Sequence, residues 1–355
     1  MVSNSFAGKK WLIFGAVLLT AALWFGSAQA KPITLTLADS TAPVGLRGNG
    51  LQAFVEEVEK HTNGQVKIQV HWGESLMKSK EILDGIKNGI VDIGYINGNY
   101  YPKKMMINGA FALFPQGPRK FTNQYWFYKQ CFETVPAIKK ELESLKLKPV
   151  FITSVLPVAV VSTKPFTKFE DFKDKRIRAS SRWWLKQLEA AGAVPVSIPW
   201  GDCYMALQTG TIDGVFTNRD GEHRTKLDEV AKNVYTCQDI WPGMPLIYAI
   251  NIDKWNKLSP EIQKQIEAAG ESAAQRFETL FDNEWSRVEA EQREMGCVIT
   301  PASKENIEKW VNMPIHNELR QVWIKEAEAA GVKDAAETMS AMESLLKQAL
   351  AKGNQ

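Results

Sequence analysis

The sequence contains few of the residues that build catalytic and metal centres. Its 355 residues include four histidines and four cysteines, none with the close spacing of a zinc site. It also lacks a Walker loop, a G-x-S-x-G nucleophile elbow and the glycine spacing of a dinucleotide-binding turn. These absences predict a protein without metal, cofactor or catalytic activity, although a triad assembled only by folding leaves no such motif.

The net charge is small, and long apolar runs are few. Residues 1–30 hold two lysines and no acidic residue, so residues 31–355 carry 41 basic and 40 acidic side chains. Nucleic acids and anionic membrane surfaces both select strongly basic patches, so this balance argues against them as partners. No segment after residue 30 is apolar over the roughly 20 residues that a membrane-spanning helix requires.

The first 30 residues are typical of a secretory signal peptide. Two lysines precede an apolar run from Trp11 to Phe25, and Ala28-Gln29-Ala30 forms a small-x-small cleavage motif. The apolar run is too short for a membrane anchor, and the cleavage motif follows it directly. We therefore expect export to the periplasm with cleavage after Ala30.

An exported chain can form disulfides, so the cysteines need an interpretation. Cys131, Cys203, Cys237 and Cys297 are irregularly spaced and leave three pairings open. A chain of this length buries enough apolar surface to be stable without a bridge. We expect mostly buried free thiols or a single incidental bridge.

Strand and helix signals alternate along the chain, which indicates an α/β fold. Strands of a mostly parallel sheet are predicted at residues 34–38, 66–70 and 90–96, with helices between them. The glycine-rich segment 45–50 is predicted to be a flexible turn before the first helix.

A second α/β block and a crossover indicate two lobes. The apolar stretch at 149–162, interrupted mainly by Pro157, predicts a crossover between lobes. The second block covers 176–216, and another buried strand is predicted at 246–252. We assign residues 31–156 and 246–287 to lobe I, and residues 157–245 and 288–355, with the C-terminal helices, to lobe II.

A long helix distinguishes the C-terminal third. Ser259-Pro260 is a typical N-cap and first-turn pair, and apolar residues recur at helical spacing up to Gly296. At 1.5 Å per residue this helix would be roughly 55 Å long, which exceeds one small lobe. We expect it to span both lobes, and two further helices to follow near 305–330 and 333–351.

Several short motifs carry a resemblance to a known family. In chain order they are Gly64-Gln65-Val66-Lys67-Ile68, Lys87-Asn88-Gly89-Ile90-Val91-Asp92-Ile93-Gly94, Ala112-Leu113-Phe114-Pro115, Lys175-Arg176-Ile177-Arg178, Gly192-Ala193, Tyr204-Met205-Ala206-Leu207-Gln208-Thr209-Gly210 and Ile212-Asp213-Gly214. Their order and spacing resemble the solute receptors of TRAP transporters, the tripartite ATP-independent periplasmic carriers. The resemblance covers essentially the whole chain after residue 30. It implies a two-lobed α/β periplasmic binding protein with a long helix spanning both lobes.

The resemblance also implies a function. Such a receptor binds a small organic anion, through a carboxylate, between two lobes that close by a hinge, and delivers it to membrane permease subunits. Tryptophans near the expected site favour a ligand with an apolar or ring face, such as a sugar acid or an aromatic acid. Two alternatives remain: an exported receptor that feeds a sensor protein, and an exported lyase-like enzyme that uses the same cleft.

Arg178 is the main candidate ligand residue. In the family that the chain resembles, an arginine at this place grips a substrate carboxylate, and a planar guanidinium matches a carboxylate with two hydrogen bonds. Arg178 also ends a predicted strand, where α/β folds place ligand contacts. The alternative is a solvated arginine within a run of basic residues. Family members often continue with Val-Pro, whereas Ala179-Ser180 follows here.

Further candidates lie at strand ends and at matched positions. Trp200 matches an aromatic that packs on the ligand, with a core tryptophan as the alternative. Asn97 ends a predicted strand, where a turn former is the alternative. Either Thr217 or Asn218 is expected to point inward.

The remaining candidates match the family more weakly. Trp183 is expected to face the cleft, whereas Trp184 shares a helical face with core residues. For the others, a solvated or packing side chain is the alternative. They are Asp39, Glu74, Lys164 and Trp241.

Overall fold

Two β-sheets organise the chain, and helices pack on their faces. The structure is a computed structural model that describes residues 31–353. The predicted signal peptide and its cleavage motif lie outside these residues. Within residues 31–353 we find no helix that is long and apolar enough to cross a membrane.

The strands of the described chain divide between a first sheet, ordered β2-β1-β3-β10-β4, and a second sheet, ordered β11-β9-β5-β8-β6-β7. Their bounds are β1 Ile33–Ala38, β2 Val66–His71, β3 Ile93–Asn97, β4 Leu147–Thr153, β5 Val158–Ser162, β6 Arg176–Arg178, β7 Val194–Val196, β8 Gly214–Asn218, β9 Asn233–Cys237, β10 Leu246–Asn251 and β11 Val298–Pro301.

The α-helices range from single turns to one helix of 35 residues. Their bounds are α1 Gly45–His61, α2 Ile82–Lys87, α3 Phe121–Thr134, α4 Pro136–Ser144, α5 Arg182–Ala190, α6 Cys203–Gln208, α7 Arg219–Arg224, α8 Leu227–Val230, α9 Ile252–Trp255, α10 Pro260–Glu294, α11 Lys304–Val311, α12 Ile315–Ala329 and α13 Ala335–Ala351. Short 3₁₀ helices lie at Gly98–Tyr100, Asn108–Leu113, Phe169–Phe172 and Trp200–Asp202.

The expectation of a mostly parallel sheet is confirmed for β1, β2 and β3, which run parallel to one another, and one strand in each sheet runs against the others. β10 runs antiparallel to β3 and β4, and β5 runs antiparallel to β8 and β9. The reason is that each sheet receives one strand directly from the other sheet. Such a strand arrives without the helical return that a parallel neighbour requires. The crossover predicted at 149–162 is confirmed, because β4 belongs to the first sheet and β5 to the second.

The long helix expected behind Ser259 is confirmed as α10. The Ser259 hydroxyl accepts a hydrogen bond from the Ile262 amide at 3.3 Å and caps the helix. Its 35 residues correspond to about 52 Å. Arg276 bonds to Glu57 of α1 beside the first sheet, and Gln292 bonds to Glu222 of α7 beside the second. The helix therefore runs along both lobes, and the two-lobed α/β fold is confirmed.

Three local predictions differ from the structure. Segment 45–50 forms the first turns of α1 rather than a loop, and Gly48 is needed there because a Cβ would lie 2.6 Å from the Ala42 carbonyl oxygen. Strand β3 begins at Ile93, and Ile90 is 67% exposed. The helix expected at 305–330 is divided between α11 and α12 near Pro314, since proline lacks the amide donor that a helix interior needs.

Aromatic stacking fixes helices and strands around each sheet. In the first sheet, Phe151 stacks on Phe54 of α1 with ring centroids 5.0 Å apart. In the second, Phe216 of β8 stacks on Trp310 of α11 at 5.2 Å. The final helix α13, which the sequence analysis assigns to lobe II, packs on α3, which it assigns to lobe I. The proposed boundaries of the two lobes therefore stay a prediction. All four cysteines are buried and free, which agrees with the expectation of mostly buried free thiols.

The two sheets are connected near the ends of several of their strands. Asn97, Leu246 and Thr153 lie level at one edge of the first sheet. Asn218 and Val158 lie level at an edge of the second. Residues 154–157 join Thr153 to Val158, which limits their Cα separation to about 17 Å. The ends of these strands in the two lobes therefore lie near one another beside this connection.

Candidate functional site

Arg178 lies at the end of β6, beside two neighbouring strands. Register places it level with Val215 of β8 and Val196 of β7. Its side chain is buried, with 4% of the residue exposed, and its Nε donates to the Ile198 carbonyl at 3.2 Å. This single backbone contact fixes the guanidinium direction and leaves its two terminal nitrogens for another partner.

No acidic side chain of residues 31–353 forms an ion pair with Arg178, in contrast to Arg176 on the same strand. Arg176 binds Asp213 through Nε and Nη2, both at 3.0 Å, and this pairing lowers the pKa of Asp213 to about 2. Burial lowers the pKa of Arg178, and Cys203 and Tyr100 oppose this only in part. A buried cation without an acid is unfavourable, so the site favours a bound anion.

Trp200 forms one wall beside the guanidinium. It opens the 3₁₀ helix Trp200–Asp202 and is half-buried, with its ring centre 5.2 Å from the guanidinium carbon of Arg178. Such a face attracts a cation and offers a flat apolar surface to a ligand. The Cys203 thiol lies close by, and burial raises its pKa although Arg178 acts against that rise.

The register of β8 distinguishes Thr217 from Asn218. Because Arg178 is level with Val215 and side chains alternate along a strand, Thr217 points to the same face as Arg178. Asn218 donates through Nδ2 to Asp220 at 2.9 Å and accepts from the Thr217 hydroxyl at 3.2 Å. Asn218 therefore orients Thr217, whose oxygen remains available as an acceptor.

Asn97 and Tyr100 belong to the first lobe, and Tyr100 lies near Arg178. The Asn97 carboxamide accepts from the Asn99 amide at 3.0 Å and donates to the Met244 sulfur at 3.1 Å. These bonds fix the turn that carries Tyr100, which lies near enough to Arg178 to influence its charge. Tyr100 was not predicted from the sequence. Its position directly after a strand-end amide was the signal available.

A cavity of about 190 Å³ lies between segment 98–109 and the start of α5, and Ser180, two residues after Arg178, lines it. Trp183 lines it, with 3% of the residue exposed and the Arg182 guanidinium 3.9 Å from its ring centre. Trp184 packs in the core against Phe216, as predicted. A larger surface groove between α1 and α10 contains Arg276, which is already paired with Glu56 and Glu57.

Residues 37–326 match the family model described as bacterial extracellular solute-binding protein, family 7. The chain belongs to this family. It is a solute-binding receptor and not an enzyme. The C4-dicarboxylate-binding periplasmic protein DctP of Rhodobacter capsulatus is 26% identical over 327 residues, which cover 84% of this chain and 93% of that protein.

Two solved structures share the fold of this receptor. A TRAP periplasmic solute-binding protein from Desulfovibrio salexigens has a TM-score of 0.75 at 23% identity, and the match covers 90% of this chain and 97% of that chain. A marine metagenome TRAP solute-binding protein specific for aromatic acid ligands has a TM-score of 0.76 at 21% identity, covering 90% and 99%.

Asp39 forms an ion pair with Arg47, a residue that was not predicted from the sequence. Its Oδ1 accepts from Arg47 Nη2 at 2.9 Å, and its Oδ2 accepts from the Tyr248 hydroxyl at 2.8 Å. Burial acts to lower the pKa of Arg47, but the Asp39 carboxylate and the neighbouring tyrosines Tyr95, Tyr248 and Tyr100 together outweigh it, and the pKa is raised. Asp39 thus serves the receptor by neutralising Arg47. Because segment 45–50 was interpreted as a turn, Arg47 of α1 was not predicted to be a partner of Asp39.

The structure places the other three candidates away from Arg178. Glu74 accepts from the Ser79 amide at 2.9 Å and closes its own loop. Lys164 is 62% exposed, 3.7 Å from Asp213 and beyond the opposite end of β8. Trp241 is buried and stacks on Tyr128 with centroids 5.5 Å apart, so it packs the second connection between the lobes.

Proposed function

We propose that this receptor works in the periplasm, binds a small organic anion through a carboxylate on Arg178, and delivers it to a TRAP-type membrane permease. The observation that carries the proposal is the buried guanidinium of Arg178, which has no ion-pair partner among the described residues. A carboxylate would supply the missing charge and accept two hydrogen bonds from one planar group.

Relatives support an acidic ligand. The Rhodobacter capsulatus protein is named for binding C4-dicarboxylates, and the marine metagenome structure contains 3-hydroxybenzoate. Both ligands carry a carboxylate, which is the group that Arg178 would bind. The family match extends over most of the chain and includes Arg178.

The neighbouring residues would complete the site by closing over the ligand. Trp200 would cover a flat or apolar part of the ligand, and Thr217 would accept a hydrogen bond from a neutral ligand hydroxyl. Tyr100 would approach from the first lobe. Closure about residues 154–157 would remove water, which strengthens the charge-assisted bonds to the carboxylate.

The two alternative functions, an exported enzyme and a receptor for a sensor protein, are supported to different degrees. The lyase-like enzyme is set aside because the chain belongs to a family of solute-binding receptors. A receptor for a sensor protein would use the same binding step, so it differs only in the partner.

A thermal-shift screen of organic acids tests the proposal. At least one acid should raise the melting temperature of the parent protein, because a ligand that binds only the folded state stabilises it. The same acid should leave Arg178→Ala unshifted, while Arg176→Ala, which changes a nearby arginine outside the site, should keep the shift. A panel in which acids stabilise Arg178→Ala as well as the parent would refute the role of Arg178.

A further inference from the structure

We infer that the cleft selects a singly charged acid with an apolar body and discriminates against dicarboxylates. The inference rests on the proposed function, because it describes the ligand of the same site. It differs from the ligand for which the Rhodobacter capsulatus relative is named. The charges at the facing lobe edges and the lining of the adjacent cavity carry it.

The charge count begins with Arg47 and Arg224, which lie together at the contact between the lobes. Arg224 donates to the Thr41 hydroxyl at 3.0 Å across this contact. Burial lowers the pKa of Arg224, and the charge of Arg47 lowers it further, so the two cations are close. Two neighbouring cations require compensating acids in a half-buried setting.

Two aspartates supply that compensation. Asp39 bonds directly to Arg47 at 2.9 Å. Asp220 is 7% exposed and attracts Arg224, and its Oδ1 accepts from the Leu156 amide and from Asn218, both at 2.9 Å. Arg47 and Arg224 are therefore balanced by Asp39 and Asp220 before any ligand binds.

One positive charge remains, on Arg178. Asp202 directly precedes Cys203, which lies close to Arg178, but Asp202 is exposed to solvent and forms no ion pair with Arg178 in the described chain. Water screens an exposed carboxylate strongly, so it neutralises a buried guanidinium poorly. A ligand with one negative charge would bring the facing edges to neutrality, whereas a second negative charge would exceed it.

The cavity beside Arg178 has the complementary chemistry. Ser197 lines it next to Ile198, whose carbonyl accepts from Arg178, and Ser180 lines it two residues after Arg178. The cavity is thus lined by residues that flank Arg178 and its carbonyl partner in the sequence. Its apolar wall consists of Pro102, Met105, Met106, Trp183 and Leu185.

The cation at the cavity, Arg182, is already engaged. It forms an ion pair with Glu326 and lies over the ring of Trp183. A second ligand carboxylate in this space would meet the neutral polar groups of Asn99 and the serines but no free cation among the described residues, and burying a charge without an opposite charge is unfavourable. Serine hydroxyls and Thr217 would still accommodate a neutral hydroxyl on the ligand.

Calorimetric titration with matched acids tests the inference. The purified protein is titrated with benzoate against isophthalate, 3-hydroxybenzoate against 5-hydroxyisophthalate, and butyrate against succinate. Within the pair that binds, we expect the monocarboxylate to bind at least tenfold more tightly. A dicarboxylate that binds as tightly or more tightly overturns the inference but leaves the role of Arg178 intact. If no organic acid binds, the proposed function fails together with it.

A variant sharpens the test. Asp220→Asn keeps the acceptor oxygen for Leu156 and Asn218 but removes the charge that balances Arg224. The preference for monocarboxylate over dicarboxylate should fall at least fivefold. The control Asp253→Asn removes an exposed carboxylate paired with Lys146 and should leave the preference unchanged. An unchanged preference in Asp220→Asn would contradict the charge count, and the titration of the parent decides independently of how well the variant folds.

Discussion

Arg47 in the first lobe and Arg178 in the second are both buried cations, yet only Arg47 has an acid beside it. Arg47 bonds to Asp39 at 2.9 Å and lies over the ring of Tyr95, with its guanidinium carbon 4.0 Å from the centroid. Arg178 has one backbone carbonyl and the face of Trp200. Both sit near Tyr100, which acts to raise the pKa of each.

The difference separates a structural arginine from a binding arginine. A cation that is neutralised by its own lobe contributes to the folded state without ligand. A cation that lacks an acid destabilises the empty protein slightly and gains its partner on binding. Burial alone, or position at a strand end alone, would not have distinguished the two residues.

Removing the acid from the first lobe should have the largest effect on stability. Asp39→Asn retains the size of the side chain but leaves Arg47 buried without a counter-charge. We expect the free energy of unfolding to fall by about 3 kcal/mol or more. Denaturant unfolding of the ligand-free protein measures it. A loss below about 1 kcal/mol would mean that Arg47 does not depend on Asp39.

Removing the cation from the second lobe should instead affect binding. Arg178→Ala would bury the ligand carboxylate without a partner, and we expect affinity to fall about 100-fold or more, equivalent to roughly 3 kcal/mol. Calorimetric titration with the acid found in the screen measures this. Retained affinity would mean that a group other than Arg178 binds the ligand carboxylate.

The stability of the empty protein provides the reverse test. Arg178→Met replaces a buried cation with an apolar chain of similar length, so it removes a desolvated charge that no acid compensates. The free energy of unfolding without ligand should stay within about 1 kcal/mol of the parent or rise. A clear loss of stability would show that Arg178 has a packing role.

The sequence predicted the second lobe better than the first. Arg178 follows a strand signal and lies in motifs of a recognised order, and both features depend on local residues. Arg47 and Tyr100 depend on contacts that no local pattern encodes, since Asp39 and Arg47 meet only because α1 begins at Gly45. Likewise, Lys164 matched by position, but the antiparallel pairing of β5 with β8 carries it to the far end of the second sheet.

Strand direction was the main feature of the fold that periodicity could not supply. Apolar runs predict that β5 and β10 are buried but not which sheet they enter or in which direction. The number of helices after α10 depended on Pro314, whose effect as a helix break was overlooked.

A smaller effect, on the pH dependence of stability, is expected from the pair of Arg176 and Asp213, for which Arg178 has no counterpart in the described chain. Asp213 has a pKa of about 2 in the folded protein because Arg176 binds it, compared with about 3.9 when unfolded. Its contribution to stability is therefore present above about pH 4 and is lost as pH falls through about 2. Asp213→Asn should flatten this part of the acid unfolding curve and leave ligand affinity unchanged. A change in affinity would mean that Asp213 contributes to the ligand site.

The most direct test of a bidentate carboxylate site is titration of Arg178→Lys. Lysine keeps the charge but cannot offer the planar pair of donors. A hydrogen bond to a charged group contributes roughly 1.5–3 kcal/mol, so affinity should fall by about 10- to 150-fold. The control Arg176→Lys, on the same strand but paired with Asp213, should bind like the parent. Parent-like affinity in Arg178→Lys would contradict the assignment of Arg178 as the carboxylate anchor.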